Sequence, residues 1–283
     1  MAGQNNPFDS IESAQQYLEL LLEAIQEARQ EMEAELEMAN AGGRDRAAEA
    51  IRQAASSGEP PLRAAAINAL AARRDVGVLP TLLSCAGDAS PTVRKAAFAA
   101  LGTLGTDTEL EPLARMAIST QAPEASAALA AVAARVTDKP AAARKLLSTA
   151  GKAEPALASV LDALSAVGGS DALAIVTTLT RSADQQIRED ALRALGEWAD
   201  FGAVKPLQSL AANSDTPLNL YALAMQGIAW LVKMSEAEPA QNRIEAAQAA
   251  LAVARRDDEK KLMLSALGSV PDARAAAAIM PLL

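Results

Sequence analysis

The sequence contains no histidine among its 283 residues. This absence excludes the Ser-His-Asp and Cys-His constellations, in which an imidazole serves as the base that activates the nucleophile. It also excludes zinc sites that use imidazole ligands. The hydrolases and metalloenzymes that depend on histidine are therefore ruled out as classes for this chain.

Cysteine and aromatic residues are scarce. Cys85 is the only cysteine, so an intrachain disulfide is impossible, and its neighbours Leu82, Leu83 and Ala86 indicate a buried thiol. Aromatic residues make up 2% of the chain although 51% of its residues are apolar, so the core must consist mainly of small and unbranched side chains. Alanine and leucine favour helices, and no segment alternates as a strand would. The composition predicts an all-α protein.

Long apolar runs and basic patches are also missing. No segment approaches the ~18 consecutive apolar residues of a membrane span, and the N-terminus has neither the basic nor the apolar region of a signal peptide. The net charge is −9, but nine acidic residues and one arginine lie within residues 9–37, which leaves the remainder close to neutral. We therefore expect a cytoplasmic protein that binds neither membrane nor nucleic acid.

The sequence does contain an internal repeat. Six similar segments follow one another at steps of 31 or 32 residues, opening at Leu62, Val93, Ala125, Ala156, Ile187 and Leu218. A period of this size is typical of arrays in which each supersecondary unit buries its apolar face only against its neighbours. The repeat predicts one elongated α-solenoid, an α/α superhelix of about seven to eight helical hairpins.

Each repeat contains the pattern of two helices. In the first helix, apolar residues recur every four positions, as in Val93, Ala97 and Leu101, and lie on one face. A turn is expected at the glycines that follow, Gly102, Gly168, Gly169, Gly196 and Gly268. An acidic residue then stands where it can cap the second helix: Asp75, Asp107, Asp138, Asp171, Asp200 and Asp272. The second helices contribute the core residues Leu82, Leu113, Leu146, Val176 and Leu207.

Both ends of the array depart from the regular step. We expect residues 1–8 to be disordered, residues 9–57 to form a long acidic capping helix and the second helix of an incomplete first repeat, and residues 58–283 to form the array. After Leu218 the step widens to 41, which predicts a ten-residue insertion near 234–243 in a lengthened loop. The last segment, AIMPLL, lacks the polar outer face of a terminal repeat, so we expect either a truncated C-terminal repeat from a longer array or an end that a partner covers.

Two segments carry a family resemblance. Val93–Gly102 (VRKAAFAALG) and Ile187–Gly196 (IREDALRALG) share an apolar residue, an arginine, two variable residues, an alanine and a closing Ala-Leu-Gly. This pattern resembles the short bacterial HEAT-type repeats also found in phycobilisome lyases, and the resemblance extends over residues 44–283. It implies a solenoid whose second helices line the concave side, in a family used mostly as scaffolding.

The repeats differ at the position after the apolar anchor. Ser126, Leu157 and Asn219 replace the basic residue in the third, fourth and sixth repeats. A ladder of ion pairs between this position and the turn acids is therefore expected only at Arg63, Arg94, Arg188 and Lys260.

A column of small polar residues is the first candidate binding surface. It stands two positions past the core residue of each second helix and consists of Ser84, Arg115, Ser148, Thr178 and Ser209. Such a surface suits an extended peptide held by hydrogen bonds. An ordinary solvated helix face is the alternative interpretation.

Two tryptophans and the N-terminal helix give further candidates. Trp198 and Trp230 lie in consecutive repeats and could anchor a partner, although Trp198 aligns with Leu104, which favours a core position. The acidic N-terminal helix repeats apolar residues every seven positions, which raises the alternative of a coiled-coil dimer. We expect it to cap the first repeat of a monomer, because acidic residues would face each other in a parallel pair.

These features predict a non-enzymatic scaffold or adaptor that binds a protein or peptide along the concave face. No catalytic, metal or cofactor-binding residue is assigned, and iron-dependent HEAT-type hydroxylases are excluded because they hold iron through His-Glu pairs. One alternative is an accessory HEAT module of a larger multidomain bacterial redox enzyme. A remote alternative is a phycobilin lyase-like protein, which the scarcity of aromatic residues disfavours.

Overall fold

The computed structural model describes residues 26, 27, 29, 30 and 46–280. These residues form helices and their connections, with no strand among them, so the predicted all-α fold is confirmed. The expected N-terminal disorder and most of the expected capping helix lie outside the described residues.

Sixteen helices follow one another from residue 46 onward in the described chain. Their bounds are α1 46–57, α2 Pro60–Ala72, α3 Leu79–Cys85, α4 Pro91–Leu104, α5 Leu110–Thr120, α6 Pro123–Ala133, α7 Lys139–Ala150, α8 Glu154–Ala158, α9 Leu161–Val167, α10 Ser170–Leu179, α11 Gln185–Gly196, α12 Val204–Ala212, α13 Leu218–Met234, α14 Ala240–Ala252, α15 Asp257–Gly268 and α16 Ala273–Ile279. Short 3₁₀ turns precede α3 and α12. After α1, the helices form the seven hairpins that the repeat step predicted.

The hairpins stack so that each one covers the next. The first helices pack in sequence, α2 on α4, α4 on α6, α6 on α9, and onward to α15. Most second helices pack against the first helix of the following repeat, as α5 does on α6 and α12 on α13. The predicted core residues Leu82, Leu113, Leu146, Val176 and Leu207 are all fully buried in one continuous apolar cluster. This arrangement is the nearest-neighbour burial of a solenoid.

The inward-facing position of the sixth repeat differs from the prediction. Leu218 is 53% exposed, and Leu220 is buried in its place. The reason is that α13 begins at Leu218 itself, whereas α4 and α11 each begin two residues before their anchors, Val93 and Ile187. Leu62 is also exposed, and the first helix expected to precede α2 lies outside the described residues.

The first helix of the fourth repeat is interrupted. Helix α8 ends at Ala158 and α9 begins at Leu161, and Leu157 takes the inward position while Ala156 is only partly buried. At this interruption the Ser126 hydroxyl on α6 donates a hydrogen bond to the Ser159 carbonyl over 3.2 Å. The serine that replaces the basic residue in the third repeat thus connects two repeats through the backbone.

The expected ladder of ion pairs with the turn acids is wrong. Arg63 pairs with Asp88 over 2.7 Å, and this acid lies in the loop before α4 rather than in a turn within a hairpin. Arg94 and Arg188 donate instead to carbonyls of the loop that precedes their own helices, and Lys260 pairs only within α15. Arg94 and Arg188 therefore satisfy carbonyl groups of the loops that follow α3 and α10.

The turn acids act as caps in most repeats. Asp75, Asp138, Asp200 and Asp272 each accept a hydrogen bond from a backbone N–H at the start of the following helix or 3₁₀ turn. Asp107 and Asp171 do not, because Glu109 and Gly169 hold the N-cap positions of α5 and α10. The capping prediction is therefore confirmed at four positions and wrong at two.

The loop expected near residues 234–243 is short. Helix α13 continues to Met234, five residues connect it to α14, and Arg243 lies within α14. Helices α13 and α14 are both longer than their counterparts α11 and α12. Much of the extra length in this repeat is therefore helical.

We expect Tyr221→Phe to lower the free energy of unfolding by about 1–3 kcal/mol, because the buried tyrosine side chain loses two hydrogen bonds to partly buried backbone groups. The Tyr221 hydroxyl accepts from the Arg255 N–H over 3.0 Å and donates to the Val253 carbonyl over 3.1 Å, which joins the sixth repeat to the seventh. Urea denaturation followed by circular dichroism measures the loss. Thr178→Val is the control, since its exposed hydroxyl bonds only within its own helix. An equal loss in both variants would contradict this role.

Candidate binding surface

The predicted polar column lies on the surface. Ser84, Arg115, Ser148, Thr178 and Ser209 are all exposed. Three of the hydroxyls donate to carbonyls one turn earlier in the same helix, at 2.8–3.0 Å, and Arg115 pairs with Glu111 of its own helix over 2.6 Å. The column is accessible, and four of its five polar side chains already have partners within their own helices.

A groove opens between two neighbouring second helices, α12 and α14. Its volume is about 590 Å³, and apolar Val204 and Ala249 alternate with Lys205 and Glu245 along its walls. The Gln208 side chain on α12 donates to the Ala246 carbonyl on α14 over 3.2 Å, which fixes the spacing of the two helices. We call this feature the α12–α14 groove.

The two tryptophans have different environments. Trp198 is 1% exposed and belongs to the core, while Trp230 on α13 is 40% exposed. Met234, one helical turn after Trp230, is 60% exposed. Trp198 therefore takes the core position that its alignment favoured, and Trp230 provides an exposed aromatic surface.

A cleft of about 430 Å³ lies beside Trp230. It is lined by residues 197–201 at the turn of the fifth repeat, and by Trp230 and residues 234–238 at the turn of the sixth. We call it the tryptophan cleft. It shares Phe201 and Glu238 with the α12–α14 groove, so the two features are adjacent parts of one surface.

The charged residues that line the tryptophan cleft are all acidic: Glu197, Asp200, Glu236 and Glu238. Asp200 accepts from the N–H groups of Gly202 and Gly169 at 2.8 and 3.3 Å, and Glu238 accepts from the Asn242 amide at 2.5 Å. In the described part of the chain, the carboxylates of Glu197 and Glu236 have no hydrogen-bond or ion-pair partner. The cleft therefore presents uncompensated negative charge beside an exposed indole.

Two acidic residues outside the cleft, Asp162 and Glu259, lie on first helices of the array. Desolvation by the packing around Asp162 raises the pKa of its carboxyl, and the nearby Asp190 carboxylate raises this pKa further. Part of the Asp162 side chain is nevertheless exposed to solvent. Glu259 is buried and accepts from the backbone N–H of Arg256, closing a capping box at the start of α15. Between residues 46 and 280, no group of three or more acidic or thiol side chains is arranged to hold a metal ion.

No helix in the described residues is long and apolar enough to cross a membrane.

The stacked hairpins and their exposed second-helix faces define an α-solenoid. Residues 48–134 match the family model of HEAT repeats. No curated protein matches the sequence.

Three solved structures that match this chain are as follows. The complex of CpcE and CpcF of phycocyanin lyase from Nostoc shares 20% identity over 79% of this chain and 94% of that one, with a TM-score of 0.40. Human deoxyhypusine hydroxylase shares 18% identity over 79% of this chain and 84% of that one, with a TM-score of 0.32. An engineered protein shares 18% identity over 83% and 71% of the two chains, with a TM-score of 0.34.

Proposed function

We propose that the chain is a non-enzymatic interaction scaffold that binds an extended segment of a partner protein along the exposed faces of its second helices. The observation that carries this proposal is the α12–α14 groove. It is open to solvent, combines apolar and polar walls, and continues into a cleft with an exposed aromatic side chain. Polar side chains that project from helices, such as Gln208 and Asn242 in this groove, can hydrogen-bond the main chain of an extended segment, and the apolar walls can accept its alternate side chains.

The polar column supports the same surface. Its exposed residue on α12, Ser209, directly follows Gln208, which lines the groove. Serine and threonine side chains lose little conformational entropy when they are fixed in one rotamer. Their hydroxyls can therefore replace a hydrogen bond to a carbonyl of their own helix by one to a bound partner at small free-energy cost. A partner that lies across several second helices would therefore contact the column and the groove together.

The absence of histidine supports a role without catalysis, because the commonest general base is missing from the chain. The acidic residues at the start of α15 have a structural role as well. They lie in the first turn of that helix, where negative charge is stabilised by the helix dipole.

Site-specific photo-crosslinking tests the proposed surface. A photoreactive amino acid is placed at Thr178, Gln208 or Ser209 on the second helices, and at the exposed residues Lys95 or Ala99 of α4 as controls. After irradiation in the cells of origin, we expect the same covalent adduct from the second-helix positions and none from the α4 positions. Adducts of equal yield from both helices, or from α4 alone, would refute the assignment of the binding face.

We expect bulky, uncharged substitutions on the column to weaken the adduct. Ser148→Trp with Thr178→Trp places two large side chains on exposed second-helix faces in neighbouring repeats, so the yield from Ser209 should fall by about tenfold, which corresponds to about 0.7 kcal/mol for each obstruction. Ala99→Trp makes a matched change on a first helix and should leave the yield unchanged. An undiminished yield in the double variant would show that the partner does not cross the column.

A further inference from the structure

The tryptophan cleft has the features of a site for a cation with an apolar stem. Trp230 and Met234 are one helical turn apart and both expose large apolar surfaces. The acidic lining residues Glu197, Asp200, Glu236 and Glu238 surround them, and no lysine or arginine lines the cleft. An aromatic face and carboxylates attract the same kind of group, because both present negative potential to it.

Two of the carboxylates are available to a ligand. Asp200 and Glu238 already accept hydrogen bonds from groups of the protein, whereas Glu197 and Glu236 have no such partner in the described residues. Glu197 comes from the fifth repeat and Glu236 from the sixth, so the available charges stand on different repeats that both line the cleft. A guanidinium or ammonium group offers several donors and can be shared between them.

We propose that the tryptophan cleft binds an arginine or lysine side chain of a basic segment in the partner protein. The aliphatic stem lies against Trp230 and Met234, and the cationic head meets the carboxylates of Glu197 and Glu236. This proposal rests on the proposed scaffold function and specifies the chemistry of the partner at one end of the same surface.

The position of the cleft favours a polypeptide over a free amine. Phe201 and Glu238 line both the cleft and the α12–α14 groove, so residues that flank the bound cation have a surface to follow. Along that groove Glu238 and Glu245 outnumber the single cation Lys205. Further basic residues of the same segment would therefore be attracted and not repelled.

Binding of a defined peptide tests the proposal. The probe is a fluorescein-labelled peptide of alternating arginine and glycine, with lysine and glutamine versions in which only the cationic residues change. Fluorescence anisotropy is measured with the full chain at physiological ionic strength, where the Debye length of about 8 Å screens charges that lie further from the cleft. We expect the arginine and lysine peptides to bind and the glutamine peptide to bind at least about tenfold more weakly, since its charge-assisted hydrogen bonds are lost.

Matched variants separate the cleft from general electrostatic attraction. Glu197→Gln with Glu236→Gln removes two charges in the cleft, and Asp107→Asn with Glu124→Gln removes two exposed charges in the second and third repeats. We expect the first pair to weaken binding about tenfold and the second pair less than about twofold. Trp230→Leu should weaken binding about fivefold and Trp230→Phe less, because phenylalanine keeps an aromatic face.

The peptide and crosslinking experiments together test the cleft proposal and the scaffold function separately. Equal losses from the two pairs of charge variants, or unchanged binding by Trp230→Leu, would overturn the cleft proposal. If the basic peptides do not bind while the photo-crosslinks from Gln208 persist, the scaffold function stands and the basic partner is wrong. If those crosslinks are also missing, both proposals fail.

Discussion

Replacing Gly227 with alanine is expected to lower the free energy of unfolding by about 2–3 kcal/mol, although the same change in an ordinary helix raises it. Gly227 lies within α13, where a Cβ atom would stand 2.7 Å from the Gly196 Cα of α11 and 3.1 Å from a Leu207 methyl. The first of these neighbours is backbone, so a rotamer change cannot relieve the overlap. The two first helices would have to move apart, and the packing on both sides of them would loosen.

Gly268→Ala is the matched control for this prediction. Gly268 is also helical, at the end of α15, and no heavy atom lies within 4 Å of the position its Cβ would take. We expect the free energy of unfolding of this variant to rise by up to about 0.5 kcal/mol, because alanine loses less backbone entropy on folding than glycine does. Urea denaturation of both variants gives the comparison. A Gly227→Ala protein as stable as the original would show that the close approach of α11 and α13 does not occur in solution.

The glycines show what the repeat pattern could predict and what it could not. Gly102 and Gly196 follow the last apolar anchor, and the sequence pattern assigned them to turns. In the structure both are helical and buried, and each faces backbone of the next first helix: a Cβ atom at Gly102 would stand 3.3 Å from the Ala128 Cα, and one at Gly196 would stand 3.0 Å from the Gly227 Cα. A glycine that ends an apolar stripe is compatible with a turn and with close helix packing, and only the neighbouring repeat distinguishes them.

The array itself was predictable because period and apolar spacing determine it. The core residues of the second helices follow from the step alone, and all of them are buried. The register of α13 was not predictable, because its start at Leu218 depends on the loop before it. A pattern of apolar positions does not determine the residue at which a helix begins.

The tryptophan cleft depends on a displacement of one residue from the repeat step. Ala229, 31 residues after Trp198, is buried as the step requires. Trp230 comes one residue later, about 100° further around the helix, and its side chain is exposed beside the cleft. Helix α13 also continues to Met234, whereas α11 ends at Gly196, so the position of Trp230 remains helical. A pattern search for an aromatic one residue off the core position could have found it.

The second large effect is expected from Arg243→Ala, which should lower the free energy of unfolding by about 3 kcal/mol, because two carbonyls lose their donor in a buried place. Arg243 on α14 is 4% exposed, and its guanidinium donates to the carbonyls of Val232 and Lys233 at 2.7 and 3.2 Å. These carbonyls belong to the last turn of α13, whose dipole is negative. Among the described residues Arg243 forms no ion pair with a carboxylate, so the helix end is its counter-charge.

Arg135→Ala separates the effect of burial from that of the hydrogen bonds. Arg135 donates to the carbonyls of Gly102, in the last turn of α4, and of Gly105, the residue after the helix, at 2.7 and 3.1 Å, but its side chain is exposed. Water can replace it there, so we expect a loss of only about 1 kcal/mol. The loss of unfolding free energy in Arg243→Lys should lie between those of Arg135→Ala and Arg243→Ala, because lysine keeps the charge but lacks the planar guanidinium with its several donors. Equal losses from Arg135→Ala and Arg243→Ala in urea denaturation would mean that the buried guanidinium contributes no more than an exposed cap, and that the long α13 is held by apolar packing alone.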